Sequence, residues 1–122
     1  MTTHHDLEGL LAWQRALLER LSALGPAPGE VLELGAAVLR FAEHEERAFF
    51  PLLPLLDPIA RAELSHEHDE ISEDLKLLDW LISTTPESPD IEILAAAVVR
   101  RMREHVERDG RLLLRAARLP LS

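Results

Sequence analysis

The chain reads as all-α, an antiparallel up-down-up-down four-helix bundle forming one domain over residues 1–122, and three observations carry that reading. Every proline except Pro120 falls in one of three clusters, Gly25 to Gly29, Pro51 to Pro58 and Pro86 to Pro89. Each cluster breaks a helix, because proline lacks the amide donor and clashes with the preceding turn. Between the clusters lie four segments rich in Leu, Ala, Glu and Arg, all good helix formers. Aromatic residues are only 4% and hairpin turn signals are missing, so nothing supports strands.

The elements follow in order. The first helix is expected near 4–24, opened by Thr3 with Asp6 three residues on, an approximate capping box. Its apolar stripe runs Leu7, Leu11, Leu18, Leu21. The second, near 30–50, carries Val31, Leu34, Val38, Phe41, Ala48 and Leu52, and must end before Pro54. The third, near 58–83, is expected to start with Asp57 as N-cap and Pro58 at the first helical position. It carries Leu64, Ile71, Leu75, Leu78 and Ile82. The fourth, near 90–118, is capped by Asp90 and carries Ile91, Leu94, Val98, Met102, Leu112 and Ala116. Segments of similar length, about 30 Å each, joined by short connections, favour antiparallel neighbours.

Bulk properties narrow the function. At 122 residues, 47% hydrophobic and 29% charged, the chain can bury a core without staples. It has no cysteine, which removes disulfides, thiolate metal sites and Cys nucleophiles. A net charge of −9 argues against nucleic acid or an anionic membrane as partner, since both want a basic face. No basic and apolar leader is visible, and the most apolar run, Ala48 to Leu56, is too short to span a bilayer and is broken by Pro51 and Pro54. A cytoplasmic location is the expectation. No P-loop, dinucleotide glycine pattern or nucleophile triad is present, and a binding role is expected rather than an enzymatic one.

The informative residues interrupt the stripes. Glu45 falls between Phe41 and Ala48, and His68 between Leu64 and Ile71. His105 and Asp109, four apart, fall between Met102 and Leu112, and His4 lies at the edge of the first stripe. Burying such groups unpaired is costly, by several kcal/mol for a charge. A cation shared among imidazoles and carboxylates would satisfy them, and mixed His and carboxylate donors suit iron, manganese or zinc better than calcium or magnesium. His5 and His66 lie off the stripes and are expected in solvent, as are the rest of the clusters Glu43 to Glu46 and Glu67 to Glu70. On the opposite face of the third helix, Leu77 and Trp80, with Trp13 on the first, point to an apolar patch and a homodimer.

At these positions the chain resembles the hemerythrin-like family, the HHE cation-binding domains. The resemblance runs through His4 with Leu7, Leu10 and Leu11, then His44-Glu45-Glu46-Arg47-Ala48-Phe49-Phe50-Pro51. It continues in Glu67-His68-Asp69-Glu70-Ile71 and in His105 and Asp109 with the Arg111-Leu112-Leu113 that follows. It implies non-haem iron, one or two ions, with Glu45 and Asp109 bridging a pair and imidazoles in terminal positions. Dioxygen or another small ligand would be the partner, and oxygen or redox sensing or iron handling the role. The chain departs from the family at Phe41 and Leu64, each four residues before a ligand position where the family carries or can carry His. A second register makes His44 the second-helix ligand, with Ala48 in the carboxylate position. With Phe41 filling the space of a lost ligand, a single metal held mainly by His68, His105 and Asp109, with Glu45 assisting, is the expected state. Two alternatives use the same fold: a metal-free, degenerate bundle acting as an interaction module, and a di-metal oxidase or peroxidase.

Overall fold

The structure, a computed structural model, describes residues 2–25 and 27–121; the breaker Pro26 lies outside the described residues. Four long helices pack together: α1 (His4–Ala23), α2 (Pro28–Ala48), α3 (Ala60–Thr84) and α4 (Asp90–Ala116). A 3₁₀ helix (Phe50–Leu55) links α2 to α3, and the described residues contain no strand.

Local chemistry sets the boundaries. At Thr3 the side chain accepts from the Asp6 amide and the Asp6 carboxylate accepts from the Thr3 amide, so the expected capping box is complete. The second helix starts at Pro28, two residues earlier than expected, because proline sits at N1 without losing a bond the helix needs. The Pro51/Pro54 run tightens the chain after α2 into the 3₁₀ turn rather than a loop. The two remaining cap expectations need correction. Asp57 takes the Ile59 amide at 3.1 Å, so it organises the turn before α3, and the helix proper begins at Ala60 without a side-chain cap. Asp90 is itself the first residue of α4, and the Ser88 hydroxyl accepts its amide at 3.2 Å.

Contacts at the ends fix helix directions. The Thr2 hydroxyl donates to the Ala48 carbonyl at 2.6 Å, so α1 begins where α2 ends. Arg103, in the middle of α4, donates to the Leu21 carbonyl at 3.0 Å, adding a second donor to the one that carbonyl takes from the Leu24 amide in the last turn of α1. Leu7, Leu17, Leu21, Val31, Phe41, Leu64, Ile71, Leu78, Val98, Met102 and Leu113 form the buried centre. The α1 stripe is turned slightly from the expected phase: Leu10 and Leu17 are buried and Leu18 only partly, with the buried Gln14 between them. Gln14 donates to the Val106 carbonyl at 3.0 Å and rests on Gly110, where an added Cβ would meet its amide nitrogen at 2.4 Å. That bare stretch of α4 lets α1 approach closely. Gly35 does the same between α2 and Leu75 of α3.

Leu77 and Trp80 are exposed, whereas Trp13 is partly buried, edge-on to Phe41 at 5.3 Å and to His44 at 4.9 Å. Trp13 therefore covers the bundle rather than extending an outer apolar patch. Among the described residues, no helix is long and apolar enough to cross a membrane.

Candidate metal centre

Three helices each deliver a polar side chain into the apolar interior. Glu45 follows Phe41 by one turn on α2, His68 follows Leu64 by one turn on α3, and His105 and Asp109 occupy successive turns of α4. Helical periodicity puts each on the same face as its apolar neighbours, so folding the core forces them inside. Glu45 and Asp109 are 0% exposed, His105 2% and His68 5%. Each offers a donor atom, and the four atoms lie within 4.8 Å of one another. Two donors facing across one cation stand at most about 4.6 Å apart at ordinary bond lengths, so a small inward movement closes the set. The group could hold a metal ion.

The hydrogen-bond inventory fits this. Both oxygens of Glu45, both of Asp109, and Nε2 of His68 and His105 are buried with no hydrogen-bond partner. His105 Nε2 and Asp109 Oδ2 stand 3.1 Å apart without the alignment of a hydrogen bond. Buried polar atoms are normally paired, and an orphan costs about 1–3 kcal/mol. Six in one cluster point to a missing shared partner.

The imidazoles are also oriented for ligation. His68 Nδ1 lies 3.3 Å from Glu46 Oε1, and His105 Nδ1 lies 2.6 Å from Glu67 Oε1. A carboxylate at Nδ1 fixes the proton there and leaves Nε2 as the free lone pair, the usual arrangement behind metal-bound histidine. The ring of His68 stacks on Phe50, 5.5 Å away and 16° from parallel, and meets His105 edge-on at 4.6 Å. The 3₁₀ segment thus braces His68 from behind.

Charge is strained without a cation. Burial, then the neighbouring Asp109 charge, pushes Glu45 well above the ordinary carboxyl range. Burial and the charge of His105 hold His68 below its usual value. For His105 burial acts downward, but the Asp109 and Glu67 carboxylates outweigh it and raise the ring to about 9. In the metal-free protein at neutral pH, His105 is a cation between the Asp109 and Glu67 carboxylates.

Of the six ligand residues expected from sequence, the structure brings together Glu45, His68, His105 and Asp109, and does not bring His4 or His44 to them. His4 lies on the first turn of α1, exposed, with Nε2 2.7 Å from the Leu119 carbonyl after α4. His44 is exposed one position before Glu45, about 100° around the helix, with its ring against Trp13. Phe41, 1% exposed, packs as core one turn before Glu45. The sequence reading placed Glu46 and Glu67 on solvated faces; Glu46 is exposed as expected while also reaching His68, whereas Glu67 is partly buried against His105 across the α3–α4 interface. Their identity was open to sequence only through adjacency to Glu45 and His68.

No family model matches the chain, and no curated protein or solved structure is significantly similar to it.

Proposed function

We propose that this protein is a non-haem iron-binding domain with hemerythrin-like up-down-up-down topology, used in oxygen or redox sensing or in iron handling. A single ion is held by Glu45, His68, His105 and Asp109. The observation that carries the reading is the cluster of six buried, unpartnered donor atoms on three helices. Two imidazoles and two carboxylates favour iron, manganese or zinc. The resemblance of the four helix segments to the hemerythrin-like family selects iron among them.

A bound iron would supply redox chemistry and sites for a small ligand such as dioxygen. The residues of the chain position and insulate it. Glu45 and Asp109 supply two negative charges in a dry interior, which favours a divalent over a monovalent cation. Phe41, Leu64, Met102 and Phe50 keep bulk water from the cluster. With four donors in hand, a six-coordinate ion keeps two positions free for a small ligand.

A metal-free interaction module is the weaker reading, because relaxed selection would let apolar residues replace six orphaned donors at a gain in stability. The test is metal analysis of protein purified without a metal-affinity column, followed by anaerobic titration of the stripped protein with Fe(II). Retention of about one iron per chain, or stoichiometric uptake, supports the proposal. Failure to bind any first-row divalent ion favours the interaction module.

A further inference from the structure

The two imidazoles of the cluster are supported unequally. Behind His105, Glu67 spends both oxygens: Oε1 lies 2.6 Å from Nδ1 of the ring, and Oε2 accepts from Arg108 Nη1 at 2.7 Å. Arg108 in turn reaches Glu63 at 3.3 Å. The chain Glu63–Arg108–Glu67–His105 crosses between α3 and α4 three times, and the side chains of Arg108 and Glu67 are each only 27% exposed. At Nδ1 of His68, whose ring face Phe50 covers, the carboxylate is Glu46, 3.3 Å away, with its side chain 51% exposed. Among the described residues no arginine holds it as Arg108 holds Glu67. A short, charge-assisted contact in a half-buried setting holds its geometry far better than a long contact in water.

We infer that Glu67, held by Arg108, is the positioning residue of the centre, fixing His105 as its anchoring ligand, while His68 is the adjustable one. Glu67 touches the ring on the edge away from the metal position, so it acts through His105 and not as a ligand. It sets ring rotation and keeps Nε2 free as the donor. A carboxylate behind the ring also makes that nitrogen more basic, and outer partners of this kind alter metal affinity by about 10–100-fold. Glu46, by contrast, lies where an ion pair contributes little. The sequence offers no hint of this asymmetry: Glu67 immediately precedes His68 in the chain, yet it serves the histidine of the opposite helix.

The inference rests on the metal reading above, and the test separates the two. Co(II) is titrated into stripped wild type, Glu67→Gln, Glu67→Leu, Arg108→Gln and Glu46→Leu, recording affinity, the visible ligand-field spectrum and the melting temperature of each metal-free protein. Glu67→Leu is expected to weaken Co(II) binding about 10–100-fold and to change the spectrum, because the ring is freed. Glu67→Gln, which keeps an acceptor for Nδ1–H, and Arg108→Gln should fall between Glu67→Leu and wild type. Glu46→Leu should lose no more than about fivefold. If Glu67→Leu does not fold, Glu67→Gln against Glu46→Leu carries the comparison. Wild type that binds no Co(II) overturns the metal reading itself. Wild type that binds, with Glu67 variants matching it in affinity and spectrum, overturns the positioning role. So does a larger loss in Glu46→Leu than in the Glu67 variants, or a Glu67→Leu effect confined to the metal-free melting temperature.

Discussion

Replacing Glu45 by Met should stabilise the metal-free protein while removing most of its metal affinity. Glu45 is fully buried, and both of its oxygens lack a hydrogen-bond partner. An unpaired buried polar atom costs about 1–3 kcal/mol, and exchanging buried ionisable groups for apolar ones of similar volume often gains about 1–4 kcal/mol. Methionine is close in length and adapts to irregular space. We therefore expect a gain of about 1–3 kcal/mol without metal, seen as a rise in Tm of roughly 3–6 °C per kcal/mol for a chain of this size. The gain depends on pH. Burial and Asp109 raise the folded-state pKa of Glu45 above the value of 4.5 expected of the open chain. The wild type then binds more protons folded than unfolded at this group. Its contribution is complete below about 4.5 and is lost as pH rises toward the raised value. The advantage of Glu45→Met should accordingly be smallest near pH 4.5 and widen toward pH 8. With Co(II) at about 100 times its dissociation constant, the wild type should gain about 2.7 kcal/mol by mass action and the variant much less, reversing the order. Urea and thermal denaturation followed by circular dichroism, with chelator and with Co(II), measure both. A metal-free variant less stable than wild type at pH 8 would show that Glu45 belongs to a satisfied structural network, and the donor-site reasoning would fail.

Uptake of a divalent ion at pH 7 should release about one proton, because His105 with its pKa near 9 must give one up for its ring nitrogen to bind the metal. Calorimetry in buffers of different ionisation enthalpy counts the protons released, and affinity should rise with pH up to about 9; a pH-independent affinity would contradict the charge assignment. His105→Ala removes a donor and leaves the buried Asp109 without its neighbouring imidazole, so equilibrium dialysis should show Co(II) affinity lowered by more than about 100-fold. Gly35→Ala drives a methyl to 2.5 and 2.6 Å from the two Leu75 methyls, and overpacking outweighs the better helix propensity, giving a net loss of about 1–2 kcal/mol in urea titrations. An unchanged midpoint would mean that the Leu75 side chain turns aside there without strain.

Much of this was legible in the sequence, for a specific reason. Glu45, His68, His105 and Asp109 stand in the middle of apolar stripes, and a residue flanked on one helical face by core leucines has nowhere to go but inside. His4 sits on the first turn at a stripe edge, where direction depends on how the chain after α4 folds back. The Leu119 carbonyl takes its ring. His44 is one residue from a central position, and a step of about 100° decides between core and solvent. Gln14 was overlooked because it is neither apolar nor charged, although the seven-residue gap between Leu11 and Leu18 in the expected stripe marks its turn. Glu46, Glu67 and Arg108 were beyond periodicity altogether. Their partners lie on other helices, and which exposed carboxylate reaches across an interface depends on the angle and offset of two packed helices. The capping box was legible because it is local to four residues; the start of α3 was not, because Asp57 could serve either as helix cap or as turn former, and it does the latter.

The most direct measurement is anomalous diffraction from crystals grown with Fe(II) or Co(II), collected on both sides of the metal absorption edge. A single peak per chain is expected between α2, α3 and α4, with Glu45, His68 Nε2, His105 Nε2 and Asp109 about 2.0–2.3 Å from it. No interior peak, or a peak at His4, His44 or another surface group while the four interior residues keep their present separation, would contradict the metal-centre reading.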